Sequence, residues 1–359
     1  MPLAPEELVV KETMLSPFQE KFPENAKKES KKLAPNMFAK KNYVVHARNL
    51  RYYEEMGVQI KKVHKVLEFK QTDWLASYIN FNTKKRAESR TTFEKNYYKL
   101  LNNSVYGKCV ENVRKRIKVK VVNKREAGLR IVSKPSMLRS MTLRDDLVIF
   151  ETRIEKIRLA KPVYVGMSIL DLSKLYMMRF HYEKMTQWFE KIELCFTDTD
   201  SLLYRIEGQD MYTVFRENKR YFDFSEYPRN HECYSKENKK KLGTFKDELQ
   251  GQVLKEFIGL RAKSYSLLYI DYKGEMAEKE VAKGTKNEIR KRFLRHQHFR
   301  DVLKDQRIIT VKQNTIQSIK HKVGTYNQER ISLTGWDTKR YIQQCGIKTL
   351  AHGHYLTKK

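Results

Sequence analysis

Residues 168 to 204, SILDLSKLYMMRFHYEKMTQWFEKIELCFTDTDSLLY, constrain the chain more than any other stretch. Ser168 with Asp171 three residues later has the capping-box pattern of a helix start. Ile169, Leu172, Tyr176 and Phe180 then recur at helical spacing, the pattern of a core-facing stripe. Ile192 to Phe196 and Leu202 to Tyr204 are short apolar runs of strand composition. Thr197, Asp198, Thr199 and Asp200 separate them, where a hairpin turn belongs. An amphipathic helix feeding an acid-tipped hairpin predicts helices and antiparallel strands sharing a core, an α+β chain. If the chain is extended at the tip, residues i and i+2 face one way, which puts Asp198 and Asp200 together. Two such carboxylates repel unless a cation lies between them, and Mg²⁺, with its preference for hard oxygen ligands, suits the pair. Solvated aspartates in an Asx-rich turn are the other reading of the same four residues.

Charge narrows the choice of partner. Lys and Arg number 73 against 43 acidic residues, a formal charge of +30 over 359 residues. That excess points to a polyanion, most simply nucleic acid, with acidic proteins or membrane surfaces as the alternative. The 21 tyrosines supply rings that can pack on sugars and bases. No apolar run approaches the ~20 residues of a membrane span, and no signal peptide opens the chain. Cys109, Cys195, Cys233 and Cys345 are widely spaced with no paired spacing, which argues against a zinc knuckle or disulfide framework. The expectation is an intracellular protein, in nucleus or cytoplasm, with no membrane partner.

Along the chain, residues 1 to 40 read as irregular, with Pro2, Pro5, Pro17, Pro23 and Pro35 spread through them. Residues 72 to 112 read as helical. From 117 to 165 short β-like runs, IKVKVV, DLVIF and KPVYVG, alternate with turns. Residues 205 to 240 read as a charged connection, 242 to 283 return to strand patterning, and the basic tail from 285 mixes in helical stretches. No internal repeat or low-complexity tract is visible.

FEKNYYKLLNNSVYGK, residues 93 to 108, separates into two faces on a helical wheel. Phe93, Tyr97, Leu100, Leu101 and Ser104 form one, expected to be core. Lys95, Lys99, Asn103 and Tyr106 form the other, with Lys99 and Asn103 neighbours at i, i+4. A lysine ammonium suits phosphates, an amide and a phenol ring suit a sugar and base, and Gly107 permits close approach. A solvated helix face accounts for the lysines but not for Tyr106-Gly107. Downstream, a strand over 260–269 would alternate Arg261, Lys263 and Tyr265 onto one face, along which a nucleic-acid backbone could lie.

These stretches together resemble the family B DNA polymerases. Lys99-x-x-x-Asn103-Ser104-x-Tyr106-Gly107 is similar to that family's finger-helix motif K-x3-N-S-x-Y-G, and Asp198-Thr199-Asp200-Ser201 to its palm motif D-T-D-S. Lys263-Ser264-Tyr265 resembles the K-x-Y motif that holds the primer terminus. KLGTFKDE, residues 241 to 248, resembles the L-G-x-aromatic segment of the protein-primed branch. Three motifs in the family's order, with surrounding text like that of viral and Maverick/Polinton-type mobile elements, extend the resemblance over nearly the whole chain. The D-T-D spacing speaks against reverse transcriptases and viral RNA polymerases, which typically carry adjacent aspartates.

The resemblance implies a right-hand fold of fingers, palm with antiparallel sheet, and thumb. Its divisions would be an N-terminal palm or insertion remnant (1–71), finger helices (72–112), palm with insertion (113–283) and a thumb-like region (284–359). It implies DNA-directed DNA polymerisation with two Mg²⁺ ions that activate the primer hydroxyl and neutralise the leaving pyrophosphate. Asp198 and Asp200 would be the catalytic metal ligands. Lys99 would contact the incoming triphosphate, Asn103, Tyr106 and Gly107 would shape the nucleotide pocket, and Arg86 or Arg90 would add a phosphate contact. Arg261, Lys263 and Tyr265 would clamp the primer. Primer-template DNA, deoxynucleoside triphosphates and a terminal priming protein are the implied partners. The family's upstream D-x-x-S-L-Y-P motif, source of a third carboxylate, has no counterpart here, nor has the exonuclease domain. The chain is thus expected to be either a fragment of a working polymerase or a decayed mobile-element remnant that binds DNA without chemistry. Alone it is expected to extend a primer little or not at all.

Overall fold

A computed structural model describes residues 5–22 and 29–357. Contacts group the chain into two compact units: Met1–Val44, Lys174–Asn314 and Asn327–Lys359 in one, Val45–Ser173 and Thr315–Tyr326 in the other. These units cut across the divisions at 71, 112 and 283 that the motifs suggest. The described architecture is mixed α and β, with small antiparallel sheets of two or three strands.

The first unit opens on strands Pro5–Lys11 and Glu29–Pro35, paired antiparallel with Pro5 opposite Pro35. Pro5 and Pro35 face each other at one end of this ladder, where a missing N–H costs little, and Pro17 lies in the segment between the strands. Pro2 and Pro23 lie outside the described residues. Gln19, fully buried, ties the segment between these strands to the C-terminal region. Its amide donates to the carbonyls of Asp337 (2.8 Å) and Arg340 (3.1 Å), and its Oε1 accepts from the Ser16 N–H (3.0 Å).

An aromatic core gathers Phe180, Phe189, Phe215, Phe222, Phe224 and Tyr227. Four of these lie in the stretch expected to be a charged connection. Its charges stay outside while a short helix, Met211–Glu217, and the turns after it bury their rings, each ring contributing roughly 1.5–3 kcal/mol. A second core lies between a three-stranded sheet, Val253–Arg261, Ser264–Ile270 and Met276–Ala282, and the helix His296–Asp305. Ile258, Leu260, Phe299 and Val302 fill it. His296, buried there, bonds Ser266 Oγ through Nδ1 (2.9 Å), and its Nε2 lies 3.2 Å from Glu256.

In the second unit, helices Ala76–Glu88 and Thr92–Cys109 fall in the span expected to be helical. A sheet of Ile117–Val122, Leu147–Arg153 and Met137–Arg144 follows, with Leu147–Arg153 central. KPVYVG, expected to be a strand, instead starts a helix, Val163–Arg179. Pro162 stands just before it, where a fixed φ favours helix entry. Ser168 is therefore inside the helix, not its cap, and its hydroxyl is buried without a partner. Asp171 serves a different helix: its carboxylate accepts from the His46 N–H (2.7 Å) at the head of Ala47–Glu55, where a negative charge meets the positive end of the dipole. Ile169 and Tyr176 are exposed; Leu175, Met178 and Phe180 are the buried positions. Glu151, buried in the sheet, is held by Arg139 at 2.5 and 2.6 Å and by His321.

Candidate functional site

Strands Lys191–Thr197 and Leu202–Glu207 form the acid-tipped hairpin, with a register shift between Leu194 and Phe196 that leaves Cys195 as a bulge. Bulges raise twist and re-aim the strand beyond them. The tip is a closed turn, where the sequence placed one, and not the extended chain that would set both carboxylates on one side. Asp198 N–H donates to the Ser201 carbonyl (3.2 Å), and Asp200 N–H donates back to the Asp198 carbonyl (2.7 Å). That i→i+2 bond forces Thr199 to φ +60°, a region β-branched residues avoid. The two carboxylates accordingly differ in setting: Asp198 is half-buried and Asp200 is exposed.

Two packing surfaces fix the hairpin. On one, the helix Val163–Arg179 continues as a π-helical turn, Phe180–Met185, whose His181 meets the Tyr204 hydroxyl through Nδ1 (3.1 Å). Burial lowers the His181 pKa and raises that of Tyr204, so the bond joins neutral groups. The Leu242-Gly243-Thr244-Phe245 segment braces the same helix, with Phe245 stacked on Phe180 (3.7 Å) and Gly243 accepting from the Tyr176 hydroxyl. On the other surface, Phe196 packs on Phe257 (5.1 Å) and Tyr265 (5.5 Å), directly over Gly259.

Arg261, Lys263 and Tyr265 do not alternate along one strand. Residues 262 and 263 make the turn between two strands, in which Arg261 pairs with Ser264 and Gly259 with Tyr265. Lys263 occupies the turn at φ +61°. Sequence alternation missed this because a two-residue turn interrupts the apolar run without a glycine or asparagine to mark it. The turn nonetheless carries Lys263 onto the hairpin: its ammonium lies 3.2 and 3.3 Å from the two Asp198 oxygens. The pair is asymmetric, with the Lys263 side chain 53% exposed and Asp198 17%. Tyr265 has a raised pKa, from burial first, then the negative charges of Glu248 and Asp198. Glu248 is the carboxylate that sequence reasoning passed over, although it ends the quoted KLGTFKDE stretch. Among the described residues, no three His, Cys, Asp or Glu side chains converge closely enough to hold a metal by themselves.

Lys99, Asn103, Tyr106, Gly107 and Arg86 lie on the paired helices of the second unit, and Arg90 in the link between those helices. A complete capping box, Thr91 with Glu94, starts the helix that carries Lys99. Lys99, Asn103 and Gly107 are exposed, Tyr106 is half-buried, Arg86 is half-buried and Arg90 exposed. The apolar side of this helix is not the packed one. Phe93, Tyr97 and Leu100 face solvent, whereas Tyr98, Asn102, Val105 and Cys109 turn inward. On the neighbouring helix Asn82 is buried, and Thr83 Oγ1 accepts from the Asn102 side-chain amide (3.3 Å). The packed side is thus neither the apolar nor the lysine-bearing face of the wheel, and periodicity alone does not reveal it.

Among the described residues no helix is long and apolar enough to cross a membrane. Comparisons with protein-family models, curated proteins and solved structures find no match for this chain.

Proposed function

We propose that this chain carries nucleotidyl-transfer elements of a DNA-directed DNA polymerase of the protein-primed family B type. The observation that carries the reading is the meeting of two motifs 65 residues apart: the Lys263 turn closes on the Asp198 hairpin through a salt bridge and a shared aromatic cluster.

The residues present suit a divalent cation. Asp198 and Asp200 supply hard oxygens from a single turn, and Asp198 already holds a cation, the Lys263 ammonium, across both its oxygens. Mg²⁺ accepts one or two protein carboxylates and completes its shell with water and substrate phosphate. When bound it supplies charge neutralisation for the phosphoryl oxygens and a more acidic primer hydroxyl. Lys263, half exposed, is a point charge with the reach to bind a primer phosphate. Tyr265 stays a neutral phenol and hydrogen-bond donor, since its pKa is raised. Arg261, exposed at the strand end, adds a cation two residues before Lys263, at the mouth of its turn. Lys99 takes the triphosphate of the incoming nucleotide, with Arg86 or Arg90 adding a contact, and Asn103, Tyr106 and Gly107 bound the sugar and base. Primer-template DNA, deoxynucleoside triphosphates and a priming protein are the partners. With two carboxylates on the hairpin, DNA and metal binding are the primary expected activities, and primer extension by this chain alone is weak or nil.

A second reading, a DNA-binding protein without chemistry, draws on the same salt bridge: Lys263 neutralises Asp198 with no metal required. Fluorescence anisotropy with a recessed-end primer-template and a blunt duplex tests the primer site. Lys263→Ala and Tyr265→Ala should weaken the recessed-end complex about tenfold and the blunt duplex much less. Equal loss on both DNAs, or none, contradicts a primer-terminus site. Lys263→Ala should leave the fold intact, because a partly exposed ion pair contributes under about 1 kcal/mol, whereas Tyr265→Ala also removes ring packing on Phe196 and Phe257, so its DNA binding is compared at matched folded fraction.

A further inference from the structure

Residues 351–354, in the first unit, make a four-residue turn in which the His354 N–H donates to the Ala351 carbonyl (3.2 Å). Gly353 takes the third position at φ +79°, where such turns favour glycine. A Cβ there would lie 2.7 Å from Phe38 Cδ1, so a glycine is what lets the Phe38 ring lie on the turn. The Met37 N–H donates to the His352 carbonyl (2.7 Å) and ties the two segments together. His352 and His354, on either side of Gly353 in the chain, share with Phe38, Thr13, Met14 and Tyr341 the walls of a cleft of about 320 Å³. That volume is at the small end of ligand sites. The two imidazoles are fixed in complementary states. His352 is 2% exposed, and burial lowers its pKa, so the ring is neutral. Its Nε2 lies 2.9 Å from the Thr338 carbonyl, which can only accept, and the proton is therefore on Nε2. Nδ1 is left a bare acceptor with no partner among the described residues. His354 is the converse: its Nδ1 accepts from the Leu356 N–H (3.2 Å), so its Nε2–H is a donor. Among the described residues no Lys, Arg, Asp or Glu lines the cleft.

We infer that this cleft binds a neutral heteroaromatic ring of the nucleobase class, through an edge that carries a donor beside an acceptor. The ring's donor meets His352 Nδ1, its acceptor meets the His354 Nε2–H, and Phe38 supplies a flat wall. Adenine has such an edge, an amino group beside a ring nitrogen. A phosphate or carboxylate finds no cation among the lining residues. A bare hydrocarbon would leave the buried Nδ1 unpaired. Two histidines without a third ligand do not hold a metal by themselves. None of these residues belongs to the hairpin, primer or nucleotide contacts above, and the inference stands apart from that reading.

The full chain, labelled with ¹⁵N-histidine, is titrated with adenosine and followed by long-range ¹H–¹⁵N correlation. The His352 Nδ1 resonance should move upfield as it accepts a hydrogen bond. Purine riboside, which lacks the amino group, should leave it in place. His354→Phe keeps a ring without the donor and should weaken adenosine binding about tenfold. Its thermal melt should stay close to that of the parent, because this side chain is only partly buried. Oligo-dA separates the two sources of such a ring. Displacement of adenosine by the oligonucleotide assigns the cleft to an unpaired base of a strand, and failure to displace it assigns a free nucleoside; either supports the site. An unmoved His352 resonance at millimolar adenosine, an equal response to purine riboside, or parent affinity in His354→Phe would overturn the inference. So would Zn²⁺ binding that His354→Phe abolishes, which would make the pair metal ligands.

Discussion

Gly259→Val should loosen the seat of the acidic hairpin. A Cβ at this position would lie 2.7 Å from Phe257 Cε1 and 3.1 Å from both Phe257 Cζ and Phe196 Cδ2. Carbon pairs prefer about 3.5–4.0 Å, so the rings must retreat by about 0.5–1 Å, and valine adds two methyl groups beyond the Cβ. Overpacking of this size costs about 1–3 kcal/mol. Removing a strand glycine returns about 0.5–1 kcal/mol through the unfolded chain, leaving a net loss of about 2 kcal/mol at the crowded end of that range. In urea titrations the midpoint should fall without a change in slope, and thermal melting should drop about 4–8 °C. Phe196 precedes Asp198 by two residues, so its retreat also draws the carboxylate away from Lys263 and weakens recessed-end DNA binding. Combining Gly259→Val with Phe257→Ala supplies the missing space, and the two losses should then fall short of additive by about 1 kcal/mol or more. A Gly259→Val protein as stable as the parent, or strict additivity with Phe257→Ala, would refute the packing account.

Three further outcomes follow from particular contacts. Gln19→Ala strands the Asp337 and Arg340 carbonyls and the Ser16 N–H in the interior and should cost about 3 kcal/mol in denaturant titrations. Thr199→Gly relieves a β-branched residue held at φ +60° and should stabilise the chain by about 1 kcal/mol, as strain relief of about 1–3 exceeds glycine's entropy cost. Glu111 is bound by Arg116 (2.7 and 2.9 Å) and then Lys161 (3.1 Å), which lower its pKa from 4.5 to about 2. Because the folded pKa is depressed, its contribution is full above pH 4.5 and lost as pH falls towards 2. Glu111→Gln should remove that part of the acid dependence in thermal melts.

The acidic hairpin was legible because apolar strand runs flank a polar turn, and the paired helices because residues 72 to 112 are helical in pattern throughout. What the residues did not disclose depends on contacts between distant segments. The Phe93–Leu100 stripe looked like core because periodicity finds an apolar face without saying which side meets the neighbouring helix, here the side of Asn102. The Lys263 turn was hidden because neither Ala262 nor Lys263 is a turn-type residue. Phe215, Phe222 and Phe224 were masked by the charges around them in a stretch with little regular structure. KPVYVG has strand composition, and Pro162 turns it into a helix start. Asp198 and Lys263 were both singled out by their motifs, but their pairing needed the fold.

Electron paramagnetic resonance of Mn²⁺ with the full chain, primer-template DNA and a non-hydrolysable nucleotide tests the central proposal most directly. The account predicts that free Mn²⁺ signal falls as the complex forms, that Asp200→Asn and Asp198→Asn restore it, and that both variants still bind DNA. Mn²⁺ uptake unchanged by either substitution, or absent from the parent complex, would contradict a metal role for the hairpin.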